Sequence, residues 1–342
     1  MESDELIYLL KTVAPESREI ILKRYLLLKV IKDNEPIGRR ILGQKINETE
    51  RKIRSEIEDL RDLGLIIVEA NGMFISKKGE EVIDDLEEMS YNLKGLKELE
   101  IKLKDKLGIN NAYIVEGDSG KEEIVFKELG KKTAKIAGGF LQDNIKIAIM
   151  GGTTMAVSAK YMEAEARYSN IKVLPGRGGL GESMDIQANS VASKFAKKIG
   201  ADYKLLHVPD NIRPDLLEAL KSNTQIKEVL DDLKDVNLLL FGLGRAEDMA
   251  ARRKLSEVKK DELRLKNAKA EALGFYFDDK GIPIMHSTSV GIALDDLKKI
   301  KNAICASAGI KKAEAIYAFS KYYKNYTLVT DEITAKEILK LK

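Results

Sequence analysis

The chain has 342 residues, of which 44% are hydrophobic and 33% are charged, and its formal net charge at pH 7 is +3. This composition is typical of a globular protein with a substantial core, and the length predicts two domains. A net charge this small gives no general attraction to nucleic acid, so a DNA-binding surface needs a local concentration of basic residues. The sequence contains no membrane-length apolar stretch and only one cysteine, which excludes a disulfide framework. We therefore expect a cytoplasmic protein without a membrane partner.

The first 80 residues predict a winged helix-turn-helix domain. The helical spacing of apolar residues indicates three helices, over 16–31, 37–44 and 48–63. Asn47, with Glu50 three residues later, predicts the N-cap of the third helix. Residues 65–76 have the pattern of a β-hairpin that turns at Asn71-Gly72, which supplies the wing.

Basic residues are concentrated around the start of the third predicted helix. Residues 38–55 contain six basic side chains and two acidic ones. In a helix-turn-helix the first residues of this helix face base edges in the major groove, where Arg binds guanine while Lys and Thr hold phosphates. A solvated basic face on a protein-interaction module is the alternative. The DNA-binding interpretation assigns contacts to Arg39, Thr49, Arg51, Lys52 and Arg54.

Residues 81–108 predict an amphipathic linker helix between the two domains. Leucines and other apolar residues recur there at spacings of three and four among many charged residues, although Gly95 weakens the pattern. Such a helix either pairs with a second copy or packs on its own chain. Pairing suits a dimeric protein on a pseudo-palindromic DNA site.

Residues 109–342 alternate strand and helix patterns. Strands that are apolar throughout predict a mostly parallel sheet covered by helices on both faces, in a Rossmann-like α/β/α sandwich. The predicted strands are 111–115, 145–150, 171–174, 203–207, 238–241, 272–277 and 327–330, with a further strand-like segment at 315–319. Cys305 lies in an apolar pattern that resembles a helix, where a buried core thiol is expected.

Glycine-rich loops follow two of these strands and predict anion binding. Gly151-Gly152-Thr153-Thr154 combines a sharp turn, two hydroxyls and the free N–H groups of a new helix. The spacing is neither that of a P-loop nor that of GxGxxG. The stretch 175–181 places Arg177 among glycines, so its amides and guanidinium predict capture of a second anion.

Other residues complete the predicted ligand site. Gly242-Leu243-Gly244-Arg245 follows another strand, and of Arg252 and Arg253 beyond it we expect one at the ligand and the other solvated. Two anion-binding loops indicate a ligand with two phosphates, or with a phosphate and another anionic group. Gln187 and Glu271 are candidates for binding its hydroxyls. There is neither a His/Cys cluster with metal spacing nor a GxSxG elbow, so we expect no metal site and no catalytic residue.

These motifs resemble the SorC family of bacterial sugar-responsive repressors. The resemblance is carried by the winged helix and by the segments 149–156, 175–182 and 242–246, with Gly176 where the family usually has alanine. It implies that the C-terminal domain has the fold of sugar-phosphate isomerases and deaminases, reused as a sensor. It also implies a repressor of glycolytic genes that binds operator DNA as a homodimer or homotetramer. The implied effector is fructose-1,6-bisphosphate, with no cofactor.

The resemblance also assigns individual residues to the effector. Gly151, Gly152, Thr153 and Thr154 would hold one phosphate. Arg177 and the amides of Gly178 and Gly179 would hold the other. The sugar and its phosphates would then be surrounded by Gln187, Arg252, Glu271 and Lys312, with Lys311 as an alternative to Lys312.

Two other functions fit the same sequence. An active sugar-phosphate isomerase or deaminase with an accessory DNA-binding domain needs a general base, for which Glu182, Asp185 and Glu271 are candidates. A sister repressor that senses a monophosphate, such as deoxyribose-5-phosphate, would not depend on Arg177 for effector affinity.

Overall fold

The computed structural model describes residues 3–164, 167–179, 183–208, 216, 220, 222–287 and 290–342. The chain forms two compact units, Met1–Glu98 and Leu99–Lys342. The boundary falls inside the predicted linker 81–108, so the residues of this linker belong partly to each unit. Among the described residues, no helix combines the length and the hydrophobicity needed to cross a bilayer.

The first unit is a winged helix-turn-helix, as predicted. Its elements are α1 (Ser3–Thr12), α2 (Pro15–Asn34), α3 (Arg39–Ile46), α4 (Glu50–Asp62), β1 (Ile66–Glu69), β2 (Gly72–Ile75) and α5 (Lys77–Leu93), followed by the start of α6 (Leu96–Leu107). The apolar faces of these helices bury a common core that includes Leu28, Leu42, Ile53 and Leu60. Helix α1 was not predicted from the sequence.

Two local predictions in this unit were wrong. Asn47 ends α3 in the left-handed conformation, at φ 53°, and Thr49 is the N-cap of α4, without a side-chain capping hydrogen bond. The hairpin turns at Ala70–Asn71, because Gly72 already pairs with Glu69.

The single linker helix was also a wrong prediction. Helix α5 ends at Leu93 and α6 begins at Leu96. Gly95 has φ 78°, a left-handed conformation that commonly terminates a helix and that glycine adopts without steric cost. Val82 and Leu86 of α5 pack against the core of the first unit. This part of the predicted linker therefore packs on its own chain, which was one of the two alternatives.

The second unit contains a larger parallel sheet and a smaller antiparallel one. Its strands are β3 (Asn111–Val115), β4 (Lys146–Ile149), β5 (Lys172–Pro175), β6 (Asp202–Tyr203), β7 (Leu238–Phe241), β8 (Gly244–Arg245), β9 (Ala268–Ala272), β10 (Phe275–Asp278), β11 (Pro283–His286), β12 (Asn302–Ala306) and β13 (Thr327–Asp331). Its helices are α7 (Glu123–Gly138), α8 (Thr153–Lys160), α9 (Ala188–Ile199), α10 (Thr224–Lys234), α11 (Ala246–Arg252), α12 (Glu257–Leu265), α13 (Leu294–Leu297), α14 (Ala313–Tyr322) and α15 (Glu332–Lys340).

The larger sheet has the strand order β3-β13-β12-β7-β4-β5-β6, with every pair parallel. Ile147 and Ile149 of β4 pack into one core with α7, α8 and α9, while Ala148 between them is also fully buried. Both faces of the sheet are therefore covered, which confirms the predicted sandwich. From β4 the chain runs outward through β5 and β6, then returns to β7 on the other side of β4. Ligands bind at such a switch point, beyond the carboxyl ends of the strands.

The smaller sheet, of order β11-β10-β9-β8, was not predicted. The predicted strand 272–277 is instead split by a tight turn at Leu273-Gly274, where both residues have positive φ. The strand-like segment 315–319 belongs to helix α14, because a short apolar run fits a buried helix as well as a strand. Cys305 lies in strand β12 rather than in a helix, and it is buried as predicted.

Candidate functional site

A cavity of about 130 Å³ opens at the carboxyl ends of β4, β5, β7 and β12. This is the switch point of the sheet, where α/β folds place their ligands. Most of the predicted effector residues line it, namely Gly151, Gly152, Thr153, Thr154, Arg177, Arg252, Glu271 and Lys312.

The N-terminus of α8 forms one wall of the cavity. Gly151 has no room for a side chain, since a Cβ there would lie 2.6 Å from the Ile186 carbonyl oxygen, and Gly152 has φ 119°. These two glycines allow β4 to turn directly into α8. The N–H groups of the first helical turn have no intrahelical acceptor and carry the positive end of the helix dipole. Thr153 and Thr154 thus begin a helix at the cavity, and helix N-termini of this kind are suited to anions.

A buried cluster of charges lies at and directly behind another part of the wall. Glu271 on β9 and Arg177 after β5 are each about 5% exposed, and Arg177 Nη1 lies 3.8 Å from Glu271 Oε1. Arg253 Nη2 lies 2.5 Å from the same Oε1 atom. The guanidinium of Arg253 is fully buried, so the expectation that the second arginine of the pair is solvated was wrong.

Arg252 and Lys312 add positive charge to the cavity. Arg252 ends α11, and Lys312 lies in a 3₁₀ turn immediately before α14. Burial lowers the pKa of the Lys312 ammonium, and the nearby Arg252 guanidinium lowers it further. Lys311 is exposed and does not line the cavity, so the structure favours Lys312 of the two alternatives.

Three predicted residues do not line the cavity. The N–H groups of Gly178 and Gly179 donate to the carbonyl oxygens of Val290 and Val208, each at 2.9 Å, instead of pointing at an anion. A Cβ on Gly178 would overlap the Val208 carbonyl oxygen, so this glycine permits close packing of backbones. Gln187 precedes α9 and approaches Gly179. The rest of the glycine-rich loop, 180–182, lies outside the described residues.

Arg245 and Asp248 also line the cavity, although the sequence interpretation assigned neither of them to the effector. Arg245 Nη1 lies 3.3 Å from Asp248 Oδ1, and its Nη2 lies at the same distance from Glu247 Oε2. Arg245 follows a glycine-rich strand end, which is the signal that located the other cavity residues. Asp248 lies three residues later, at the spacing of a helical ion pair.

The predicted DNA-binding residues lie on one exposed surface of the first unit. This surface comprises the start of α3, the turn before α4 and the first turns of α4, with Arg39, Thr49, Arg51, Lys52 and Arg54 all exposed. Ile53 and Ile57 anchor the opposite side of α4 in the core. Lys52 pairs with Glu48 at 3.2 Å and Arg54 with Glu58 at 3.1 Å. Arg39 and Arg51 make no ion pair within the described part of the chain.

Two protein families match complementary parts of the chain. Residues 20–90 match the family CggR_N, described as the CggR N-terminal DNA binding domain, and residues 91–340 match Sugar-bind, a sugar-binding domain. The central glycolytic genes regulator of Bacillus subtilis is 36% identical over 340 residues, with 98% of this chain and 99% of the relative covered. Its counterpart from Priestia megaterium is 34% identical over 336 residues and 98% of each chain.

Solved structures show the same architecture. A SorC family transcriptional regulator from Enterococcus faecalis is 35% identical, with a TM-score of 0.67, and covers 71% of this chain and 100% of its own. The full-length sorbitol operon regulator SorC from Klebsiella pneumoniae is 17% identical, with a TM-score of 0.68, and covers 94% of this chain and 99% of its own. At this identity, the match shows only that the two proteins share a fold. Together, the winged helix and the sugar-binding domain define a ligand-responsive, DNA-binding transcriptional regulator. The chain belongs to the SorC family, as the resemblance implied.

Proposed function

We propose that this protein represses glycolytic genes and that fructose-1,6-bisphosphate modulates its binding to operator DNA. The two relatives named as central glycolytic genes regulators match nearly the whole chain, which supports the choice of target genes. The proposed DNA contacts are Arg39, Thr49, Arg51, Lys52 and Arg54, which lie on the exposed surface around α4. The protein acts as a homodimer or homotetramer, because a two-fold protein matches a pseudo-palindromic operator.

The observation that carries the effector proposal is the presence of two kinds of anion-binding element in one cavity. The N-terminus of α8, with Thr153 and Thr154, offers N–H groups and hydroxyls. Arg177, Arg252 and Lys312 offer positive side chains. Glu271, which also lines the cavity, is suited to a hydroxyl and not to a phosphate. A sugar with a phosphate on each end satisfies all of these groups.

The positions of the carboxylates support a sensor over an isomerase or deaminase. Glu271 Oε1 already accepts hydrogen bonds from Arg253, at 2.5 Å, and from the Gly274 N–H, at 2.7 Å, which disfavours proton abstraction by this oxygen. Asp185 is paired with Lys194 at 2.7 Å, which lowers the pKa of this carboxyl, and it does not line the cavity. Glu182 lies outside the described residues.

Thermal unfolding of the full-length protein with a panel of sugar phosphates tests the effector. A ligand bound only by the folded protein at 100 times its Kd stabilises it by about 2.7 kcal/mol, which gives a visible shift in Tm. We expect a shift with fructose-1,6-bisphosphate that Arg177→Ala abolishes. Arg264→Ala, which removes an exposed arginine paired with Asp261, is the matched control and should leave the shift unchanged.

Each alternative function predicts a different experimental result. A shift with monophosphates alone, unaffected by Arg177→Ala, would identify a sister repressor, and the absence of any shift would contradict the effector proposal. Conversion of a sugar phosphate by the protein would show an enzyme. Operator binding measured with and without the effector then tests regulation, because an effector acts only if the two states bind it with different affinity.

A further inference from the structure

Arg253 and Glu271 form a buried ion pair that the sequence pattern did not predict. Beyond its bond to Glu271 Oε1, the Arg253 guanidinium donates from Nη1 to the Ser287 hydroxyl. It also lies 5.9 Å from the centre of the Tyr276 ring. The pair is almost completely removed from solvent, with side-chain exposures of 0% for Arg253 and 6% for Glu271. Arg253 is absent from the cavity wall, so it acts on a ligand only through its neighbours.

The two oxygens of the Glu271 carboxylate have different surroundings. Oε1 accepts hydrogen bonds from Arg253 and from the Gly274 N–H. Oε2 has no hydrogen-bond partner among the described residues, and Glu271 lines the cavity. Arg253 therefore fixes the carboxylate through Oε1 and leaves Oε2 to accept a hydrogen bond from a hydroxyl of the ligand.

Arg177 approaches the same carboxylate from the cavity and pairs with it at a longer distance than Arg253 does. Its Nη1 is 3.8 Å from Glu271 Oε1, beyond hydrogen-bond distance. The backbone at Arg177 is held by a β-bridge to Gly291, and the Ile292 N–H donates to the Gly176 carbonyl at 3.1 Å. With the backbone fixed, the Glu271 carboxylate is one of the groups that influence the direction of the Arg177 guanidinium.

We propose that Arg253 is a positioning residue for the effector. By pairing with the Glu271 carboxylate, it keeps the Arg177 guanidinium directed at a phosphate of the effector. Without Arg253, the carboxylate would lack its cationic partner in a site shielded from water, where an unpaired charge is costly. Arg177 is the nearest remaining cation and would close on Glu271. Its guanidinium would then be unavailable to the ligand. This inference rests on the proposed function, since it requires an effector with a phosphate at Arg177.

Titration calorimetry of the full-length protein with fructose-1,6-bisphosphate tests the proposal through a double-mutant cycle. Arg253→Met should raise Kd by about ten- to a hundred-fold, the loss that follows when an outer-shell partner of a metal ligand is removed. In a Glu271→Gln background, the same substitution should change Kd by no more than about two-fold, because the carboxylate that captures Arg177 is gone. A role for Arg253 that does not depend on Glu271 predicts an equal loss of affinity in both backgrounds, and that result would overturn the proposal.

Two controls separate the possible failures. Arg264→Met, at an exposed site on α12, should bind like the wild type. If Arg253→Met does not fold, Arg253→Gln removes the charge but keeps a hydrogen-bond donor beside Glu271, and an unchanged Kd in that variant would also refute the positioning role. A folded wild type that does not bind fructose-1,6-bisphosphate would instead refute the proposed effector.

Discussion

The Arg54–Glu58 ion pair on α4 lies in solvent, whereas the Arg253–Glu271 ion pair beside the cavity is shielded from it. The Arg54–Glu58 pair on α4 has side-chain exposures of 69% and 53%, against 0% and 6% for Arg253 and Glu271. Exposed pairs contribute little to stability and are screened by salt, while the members of a buried pair depend on each other. Single substitutions of the exposed charges on α4 should therefore cost little stability. Replacing one member of the buried pair beside the cavity should cost much more.

The largest difference between the two regions should appear in stability. Arg253→Met leaves the buried Glu271 carboxylate without its cation, so we expect the free energy of unfolding of the second unit to fall by about 3–5 kcal/mol. Urea denaturation followed by circular dichroism measures this loss. Arg253→Met/Glu271→Gln should recover part of it, because removing both charges costs less than removing one. A single variant as stable as the wild type would show that the pair is not shielded as the structure describes.

The next largest effect concerns operator DNA. Arg51 makes no ion pair within the described residues and lies at the start of α4, so Arg51→Ala should weaken specific binding by about 1–3 kcal/mol if the arginine binds a base edge. If it binds a phosphate, the slope of log K against log salt should instead fall in magnitude by about one. Fluorescence anisotropy with a labelled operator at several salt concentrations distinguishes the two contacts. Unchanged affinity and slope would remove Arg51 from the interface.

A third prediction concerns pH and applies to the cavity alone. Burial lowers the pKa of Lys312, so this lysine loses its proton at a lower pH than an exposed lysine does. A bound phosphate favours the charged form and raises that pKa again, so binding takes up a proton in the interval between the two values. Effector affinity should thus fall as the pH rises through the pKa of Lys312 in the free protein, which lies below that of an exposed lysine. Calorimetry in buffers of different ionisation enthalpy measures the proton uptake.

Lys312→Met is the control for this prediction, because it should bind more weakly and without the pH dependence. A wild-type affinity that does not fall as the pH rises toward the ordinary lysine pKa of about 10.4 would show that Lys312 carries no linkage to effector binding.

The sequence was sufficient to predict the elements whose pattern is local. The apolar strands β4 and β7, with the glycines after them, placed the cavity because the carboxyl ends of adjacent parallel strands meet at one edge of a sheet. The spacing of Ile53, Ile57 and Leu60 placed α4 and its exposed basic side. Both inferences need only residues close together in the chain and a general rule of folds.

The missed features depend on contacts between distant residues. Arg253 and Glu271 are 18 positions apart, and strand β9 carries Glu271 beside Gly244 of β8. Nothing near Arg253 distinguishes it from Arg252, so the sequence did not show which of the two is buried. The family resemblance assigns the N–H groups of Gly178 and Gly179 to a phosphate. Their acceptors in the structure, the carbonyls of Val290 and Val208, lie far along the chain and could not be read from the loop itself. Glycine content indicates backbone freedom but not the partner that uses it.

The smallest expected effect completes the comparison on α4. Arg54 and Glu58 are one helical turn apart and both exposed, so Arg54→Ala should lower the free energy of unfolding of the first unit by no more than about 0.5 kcal/mol. Added salt should reduce even that loss, because solvent ions screen the pair. The same variant should nevertheless weaken operator binding, since the arginine then no longer faces the DNA. Urea denaturation and operator titration of one preparation give both quantities. A loss of several kcal/mol in stability would mean that α4 depends on its charges as the cavity does, and the distinction between the two regions would fail.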